Sequence, residues 1–385
     1  RATLSGRNYG WQAHEKAIAF KHIANIIRND DGKDELAQEF GGSYRKVLNG
    51  SAKDLSDSHR LPNEYRINVN TASDQQIVDS VAKLISAYVT NLTFAQDDEG
   101  QYIGSPYDEF LKINKLPRKE MKNETVAEYN QRLLKAVGSL TNPKFVQDKG
   151  KAFASHNQKF VFSAKELQGM KLFFNKGNDK KSGGNCASCH AAPHFSDFGF
   201  HNTGLVQQNY DELHGTGAFN KLLIPGLAER NKNHNAFLPA TSKHPKATSR
   251  FRSIAAKNKP GFTDIGLWNV FANPDMPGPQ QKLKDILCKQ NTMTNKSCNN
   301  ETLLKSAVAA FKTPALRDLG HSNPYMHTGQ FTDLQQAVRF YISSSAQAKN
   351  NTLRNSEKAL KEMSLTEKDV QPLVSFLKSL NEDYE

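Results

Sequence analysis

The stretch "GGNCASCHAAPHFSDFGFHNTG", residues 183–204, decides how the rest of the chain is read. Cys186, Cys189 and His190 fall within five residues, with His194, Asp197 and His201 close behind. Three chemistries use such a cluster. A structural zinc site takes four ligands, usually from two close pairs. The remaining cysteines, Cys288 and Cys298, are too widely spaced for a second knuckle. A redox dithiol belongs in a strand–helix–strand setting, and the flanks here have helical spacing. Covalent attachment of c-type haem needs two thiols, one for each vinyl group, and a histidine directly after the second cysteine to bind iron. Cys186 and Cys189 are therefore read as the thioether positions and His190 as the proximal iron ligand. His194 and His201 are read as loop or neighbouring histidines.

Working outward, the flanks are helical. "SAKELQGMKLFF" opens with a capping box, Ser163 with Glu166. Near the C-terminus, "TEKDVQPLVSFLKSL" sets Val370, Leu373, Val374, Leu377 and Leu380 at helical spacing. A helix leading into the motif and a last helix packed on it are how cytochrome c modules are built. "SDQQIVDSVAKLISAYVTNL" has Ser73 and Gln76 as a capping box and a face of Ile77, Val81, Leu84 and Tyr88. "TDLQQAVRFY" reads as a third, Thr332 with Gln335. Residues 190–300, rich in Gly, Pro, Asn and His, read as long loops that wrap something functional. The expected fold is mainly α, with a boundary near residues 142–151.

The 385 residues suffice for two domains with a sizeable core. The formal charge is +12, but lysines are scattered among acids rather than clustered, which argues against nucleic acid. A basic face for an acidic electron donor or substrate protein, or a merely solvated surface, fits better. No apolar run reaches the roughly 18–20 residues of a membrane span. The chain starts at Arg1, not Met, and carries no signal peptide, so a processed, exported protein is expected. In an oxidising compartment Cys288 and Cys298 would pair, closing a polar loop for about 2–3 kcal/mol. Two free thiols are the alternative.

A second stretch, "AFKTPALRDLGHSNPYMHTGQFTDLQQAVRFY" (residues 310–341), extends the picture. Together with "ELQGMKLFF" and the Cys186–Gly204 run, it resembles the bacterial di-haem cytochrome c peroxidase/MauG family over most of residues 160–345. "GSPYDEFLKIN" (104–114) resembles that family's segment between its two haem domains. The resemblance implies two cytochrome-c-like haem domains: an incomplete first, peroxidatic one over 1–145, lacking its own CxxCH, and a second over 146–385. The missing motif would lie upstream of Arg1, so one haem c is expected on this chain and a second in the intact protein.

The family's sixth iron ligand lies fourteen residues after the histidine of Pro-Tyr-x-His. Counting from His327, that position is Tyr341. Family peroxidases generally carry Met there, and the MauG-like branch carries Tyr. A phenolate is a hard anionic donor that favours ferric and higher-valent iron. Leu334, Val338 and Tyr341 also share one helical face, so Tyr341 reads equally as a core aromatic. Met326 and Met293 are the alternative sulfur ligands. The resemblance further implies calcium held by the backbone carbonyls of Ser322 and Pro324. It makes Trp11 an electron-hole relay between haems and His22 an acid/base residue near the first haem. Arg317 and His327 are candidates for haem propionates or the calcium site, and Trp268 for a surface relay.

The implied activity is that of a periplasmic c-type haem peroxidase. It would use hydrogen peroxide to oxidise a partner protein, or protein aromatic residues, through a His190/Tyr341 haem. An ordinary cytochrome c peroxidase fed by a small cytochrome or copper protein is the alternative within the class. A non-enzymatic electron-transfer cytochrome c is the alternative outside it.

Overall fold

The helix that leads into the motif, Ala164–Phe174, begins where its capping box predicts: the Ser163 hydroxyl accepts from the Lys165 amide, and Glu166 accepts the Ser163 amide at 2.7 Å. It buries Leu167, Met170, Leu172, Phe173 and Phe174. Its partner is the last helix, Glu367–Lys378, which buries Val370, Leu373, Val374 and Leu377, with Leu380 just beyond its end. Each such aliphatic side chain stabilises by about 1.5–3 kcal/mol when withdrawn from water. Gly169 lets the two helices touch, because a Cβ there would stand 1.9 Å from the Pro372 carbonyl oxygen. This computed structural model describes residues 13–40, 42–50, 55, 60–147, 153, 158–291 and 298–382. Among them the chain is mainly helical, with one antiparallel pair of two-residue strands, Phe200–His201 and Phe311–Lys312.

The chain divides into two compact units. The larger comprises Phe94–Pro239 and Lys246–Glu385, the smaller Gly10–Thr93 with Ala240–Pro245. Helices Pro106–Ile113 and Val126–Gly138 share the core of the larger unit with the leading and closing helices. That core is aromatic: Phe110 stacks on Phe162 at 4.1 Å, and Tyr107, Phe173, Phe195 and Phe376 meet edge-on or tilted at 5.2–6.0 Å.

Much of the segment 190–300, expected as loops, instead builds, together with residues up to 310, a second core in the larger unit. Helices Leu205–His214, Gln280–Gln290 and Asn300–Ser306 bury Val206, Tyr210, Leu287, Leu303 and Leu304 around Phe251, Trp268 and Phe271. Trp268 is buried, not at the surface as a relay there requires. Arg230, also fully buried, donates to the carbonyls of Trp268 and Ala272 and lies 5.0 Å from the indole. Short helices linked by polar turns hide this core from a periodicity reading. Cys288 and Cys298 are bonded, with Cα atoms 5.6 Å apart.

In the smaller unit, helix Ala13–Asn29 packs on Asp74–Asn91 through Ala24, Ile27 and Ile77, with Leu48 and Val69. The Ser73–Gln76 capping box is present. The expected apolar face runs only from Ile77 through half-buried Val81 and Leu84, since Tyr88 is 66% exposed. The third expected cap is displaced by one residue. Helix Leu334–Lys349 starts on Asp333, whose carboxylate accepts the Gln336 amide at 2.9 Å, because a charged oxygen outcompetes the Thr332 hydroxyl. Among the described residues no helix is long and apolar enough to cross a membrane.

Candidate haem site

The motif is a tight knot of backbone hydrogen bonds. The Gly184 amide donates to the last turn of the leading helix at Leu172 (2.7 Å), and Asn185 takes a left-handed φ of 47°. The Cys189 and His190 amides both return to the Cys186 carbonyl, at 3.2 and 2.8 Å. A Cβ on Gly184 would lie 2.8 Å from the Cys186 sulfur, so the backbone approaches that thiol as only glycine allows. Neither Cys186 nor Cys189 is in a disulfide. Burial, with the nearby Cys189 charge, pushes the Cys186 thiol up to about 12.

His190 Nδ1 lies 3.1 Å from the Phe195 carbonyl oxygen. A carbonyl only accepts, so Nδ1 carries the hydrogen and Nε2 keeps its lone pair. Burial lowers this imidazole to about 4 despite that bond and another to the Pro314 carbonyl, which keeps it in the neutral form that binds metal. Downstream, Asn130 bonds both the amide and the carbonyl of Ala192, at 3.0 and 2.9 Å. Arg317 Nε donates to Pro193 at 2.9 Å. Arg317 is buried and bidentate to Asp108 (2.9 Å twice), with Glu382 at 3.6 Å. Three of its donors thus hold the chain.

His201 sits on the strand behind Cys189. Its Nε2 is 2.8 Å from Asp197, its Nδ1 is 3.2 Å from Glu357, and it bonds the Cys189 thiol. Burial alone would lower its pKa, but bonds to Asp197, Cys189 and Glu357 outweigh it and raise the imidazole to about 12. Sequence reasoning missed this cation. The only signal was the i, i+4 spacing of Asp197 and His201.

Tyr341 is half-buried beside the small cluster of Ala348, Leu353, Leu360 and Met363. Its hydroxyl makes no hydrogen bond with the described residues. Burial raises its pKa, and the charges of Cys189 and Cys186 raise it further, so phenol and thiols share one neighbourhood. His327 lies on the exposed Tyr325–Phe331 turn and stacks flat on Phe311, 3.6 Å between centroids. Met326, on the same turn, is half-buried with φ 67°. Ser322 and Pro324 are exposed just after the turn Leu319–His321. His194 does not join the thiols, and its Nδ1 meets the Tyr102 hydroxyl at 2.6 Å. His22 is exposed on the smaller unit's first helix, between exposed Ile18 and Ile26. Trp11 and Met293 lie outside the described residues.

The donor set fits a c-type haem: two thiols outside any disulfide in one tight turn, a neutral imidazole held by backbone carbonyls, a glycine that leaves the first sulfur room, and a phenol with no hydrogen-bond partner among the described residues.

No family model matches the chain. Over 74 residues it is 34% identical to cytochrome-c peroxidase IdrP1 of Denitromonas iodatirespirans, covering 19% of this chain and 18% of that protein. It is 24% identical over 226 residues to IdrP2 of the same organism, 57% of this chain and 41% of the relative. It is 35% identical over 71 residues to methylamine utilization protein MauG of Methylorubrum extorquens, 18% and 19% respectively. The chain thus spans less than half the length of these curated relatives. It is a mainly helical protein with distant, partial similarity to proteins named cytochrome c peroxidase and MauG.

Proposed function

We propose that this chain carries the second haem domain, and part of the first, of a periplasmic c-type haem peroxidase. In this reading it uses hydrogen peroxide to oxidise a partner protein or that partner's aromatic residues. The observation that carries the reading is the tight Cys186–His190 turn, with His190 Nδ1 3.1 Å from the Phe195 carbonyl and Tyr341 near enough to both thiols for their charges to bear on it. Bound haem supplies one-electron chemistry at iron. The chain supplies the rest. Cys186 and Cys189 would tether the ring, the Phe195 carbonyl would orient His190 as an iron ligand, and Tyr341 would offer a hard oxygen donor. A phenol whose pKa burial has raised gives up its proton only where a cation replaces it.

The incomplete first domain is placed in residues 1–145 and the second in 146–385, with Phe94–Leu140 packing on the second. His22 would move the peroxide proton, and Trp11 would relay an electron hole. Ser322 and Pro324 would hold calcium through their carbonyls. The Cys288–Cys298 disulfide suits an exported protein. A peroxidase drawing electrons from a small cytochrome or copper protein is the second reading, favoured by the names of the relatives, with Met326 as ligand.

Expression in a host with cytochrome-maturation machinery tests both. Wild type should retain its haem through acid-acetone extraction, and Cys186→Ser/Cys189→Ser should lose it. Tyr341→Met should introduce a methionine–iron absorption band in the far red that wild type lacks. Haem extractable from wild type ends the proposal, and that band in wild type transfers it to the second reading.

A further inference from the structure

The Tyr102–His194 contact is not used by the haem reading. Tyr102 is 7% exposed, and its hydroxyl lies 2.6 Å from His194 Nδ1. The rings are edge-on, 5.7 Å between centroids at 86°, so the contact is a hydrogen bond rather than a stack. Burial raises the phenol's pKa and lowers that of the imidazole, so both are neutral and the phenol is the donor.

Charge around the pair decides what it can do. The Arg317 guanidinium lies 3.8 Å from the Tyr102 ring centroid. Its counter-ions Asp108 and Glu382 face the same phenol, and His194 is faced by both Arg317 and Glu120, whose opposite charges offset one another for an imidazolium there. The Gln96 side chain also bonds the phenol. A cation over the ring opposes removal of an electron that leaves positive charge behind. Removal of an electron together with a proton leaves a neutral ring that the guanidinium does not repel. The acceptor for that proton is in place at Nδ1. His194 is four residues from His190, so their Cα atoms are at most about 14 Å apart even along an extended chain.

We propose that Tyr102 and His194 form a proton-coupled one-electron relay to the haem on this chain. The Tyr102 O–H bond breaks, its electron passes to the oxidised haem, and its proton forms a bond to His194 Nδ1. The products are a neutral phenoxyl and an imidazolium. A reductant returns one electron to the ring, the proton moves back, and the pair is restored. This inference rests on the haem reading for its oxidant and adds an intermediate station between haem and partner.

The test uses the full haem-loaded chain. Hydrogen peroxide, or a photoexcited ruthenium sensitiser with an electron-accepting quencher, supplies the oxidising equivalent. Electron paramagnetic resonance and the phenoxyl absorption follow the radical. Wild type should give a tyrosyl signal that Tyr102→Phe removes. His194→Gln should slow its formation on the order of 100-fold, the loss of a positioned base, and abolish the solvent isotope effect. An unchanged haem spectrum verifies folding. If Tyr102→Phe does not fold, the rate and isotope effect in His194→Gln carry the test alone. A coloured protein whose radical survives Tyr102→Phe, whose rate ignores His194→Gln, or that forms the radical with the sensitiser but not with peroxide, overturns the relay. A colourless protein refutes the haem reading instead.

Discussion

On one side of Cys189 the chain runs through Ala191–Phe195 into a dry aromatic core. On the other, Asp197–His201 meets Glu357 at a partly exposed corner. The first region holds its histidine neutral through burial, which outweighs the pull of its carbonyl partners. The second holds its histidine charged, between two carboxylates. The same side chain, eleven residues apart, thus takes opposite protonation states because one environment offers only a neutral acceptor and the other offers anions. A ligand must be neutral, so the proposed iron ligand belongs on the dry side. The charged side stabilises the turn behind the second sulfur.

The dry side depends on a buried ion pair. Arg317 and Asp108 are both buried, 209 residues apart, and Arg317 also holds the Pro193 carbonyl. Arg317→Met leaves Asp108 charged and unmatched, which costs about 3–5 kcal/mol. Urea denaturation should show that loss and a loosened His190, seen as altered low-spin resonances of the haem-loaded protein. A loss below about 1 kcal/mol, the usual worth of an exposed pair, would erase the contrast between the two regions.

The charged side predicts a pH dependence. The folded pKa of His201 is raised to about 12, against about 6.5 for a free histidine. Above 6.5 the unfolded chain binds fewer protons than the folded one. The contribution is therefore full below pH 6.5 and declines as pH rises towards the folded value. By pH 8 about 2 kcal/mol should have gone. With haem attached the Cys189 charge is absent and the decline is smaller, but Asp197 and Glu357 keep its direction. Denaturation at pH 6 and pH 8 measures it, and His201→Gln should flatten the slope. Equal slopes in the two proteins would show that the carboxylates do not hold an imidazolium.

The difference between the regions also explains what the sequence could disclose. The motif, the leading helix and the closing helix were legible because each is a local pattern: five residues, a capping box, a 3.6-residue period. The charged corner was not, since Glu357 reaches His201 from beyond the Leu334–Lys349 helix. Nor was the Asp108–Arg317 pair, whose partners are joined only by the fold. Asp333 displaced Thr332 as a cap because a carboxylate stood one residue away. The core around Trp268 escaped notice because its helices are short and its aromatic residues sit in turns. Tyr341 looks the same by period whether it is a core residue or a ligand, so only resemblance singled it out.

The smallest effect sits in the dry region itself. Tyr107 is 1% exposed, ringed by Phe195, Phe376 and Phe162, and its hydroxyl has no partner among the described residues. An unpaired buried hydroxyl carries a desolvation cost of about 1–3 kcal/mol that no bond returns. Tyr107→Phe removes the oxygen and keeps the ring, so stability should hold or rise by up to about 1 kcal/mol. Tyr129→Phe is the matched control, because the Tyr129 hydroxyl donates to the Pro117 carbonyl at 3.3 Å. It should cost about 0.5–1.5 kcal/mol. If Tyr107→Phe destabilises as much as Tyr129→Phe, the Tyr107 hydroxyl has a polar partner and the region is wetter than its aromatic packing implies. The burial that keeps His190 neutral against its carbonyl bonds would then be weaker than the packing implies.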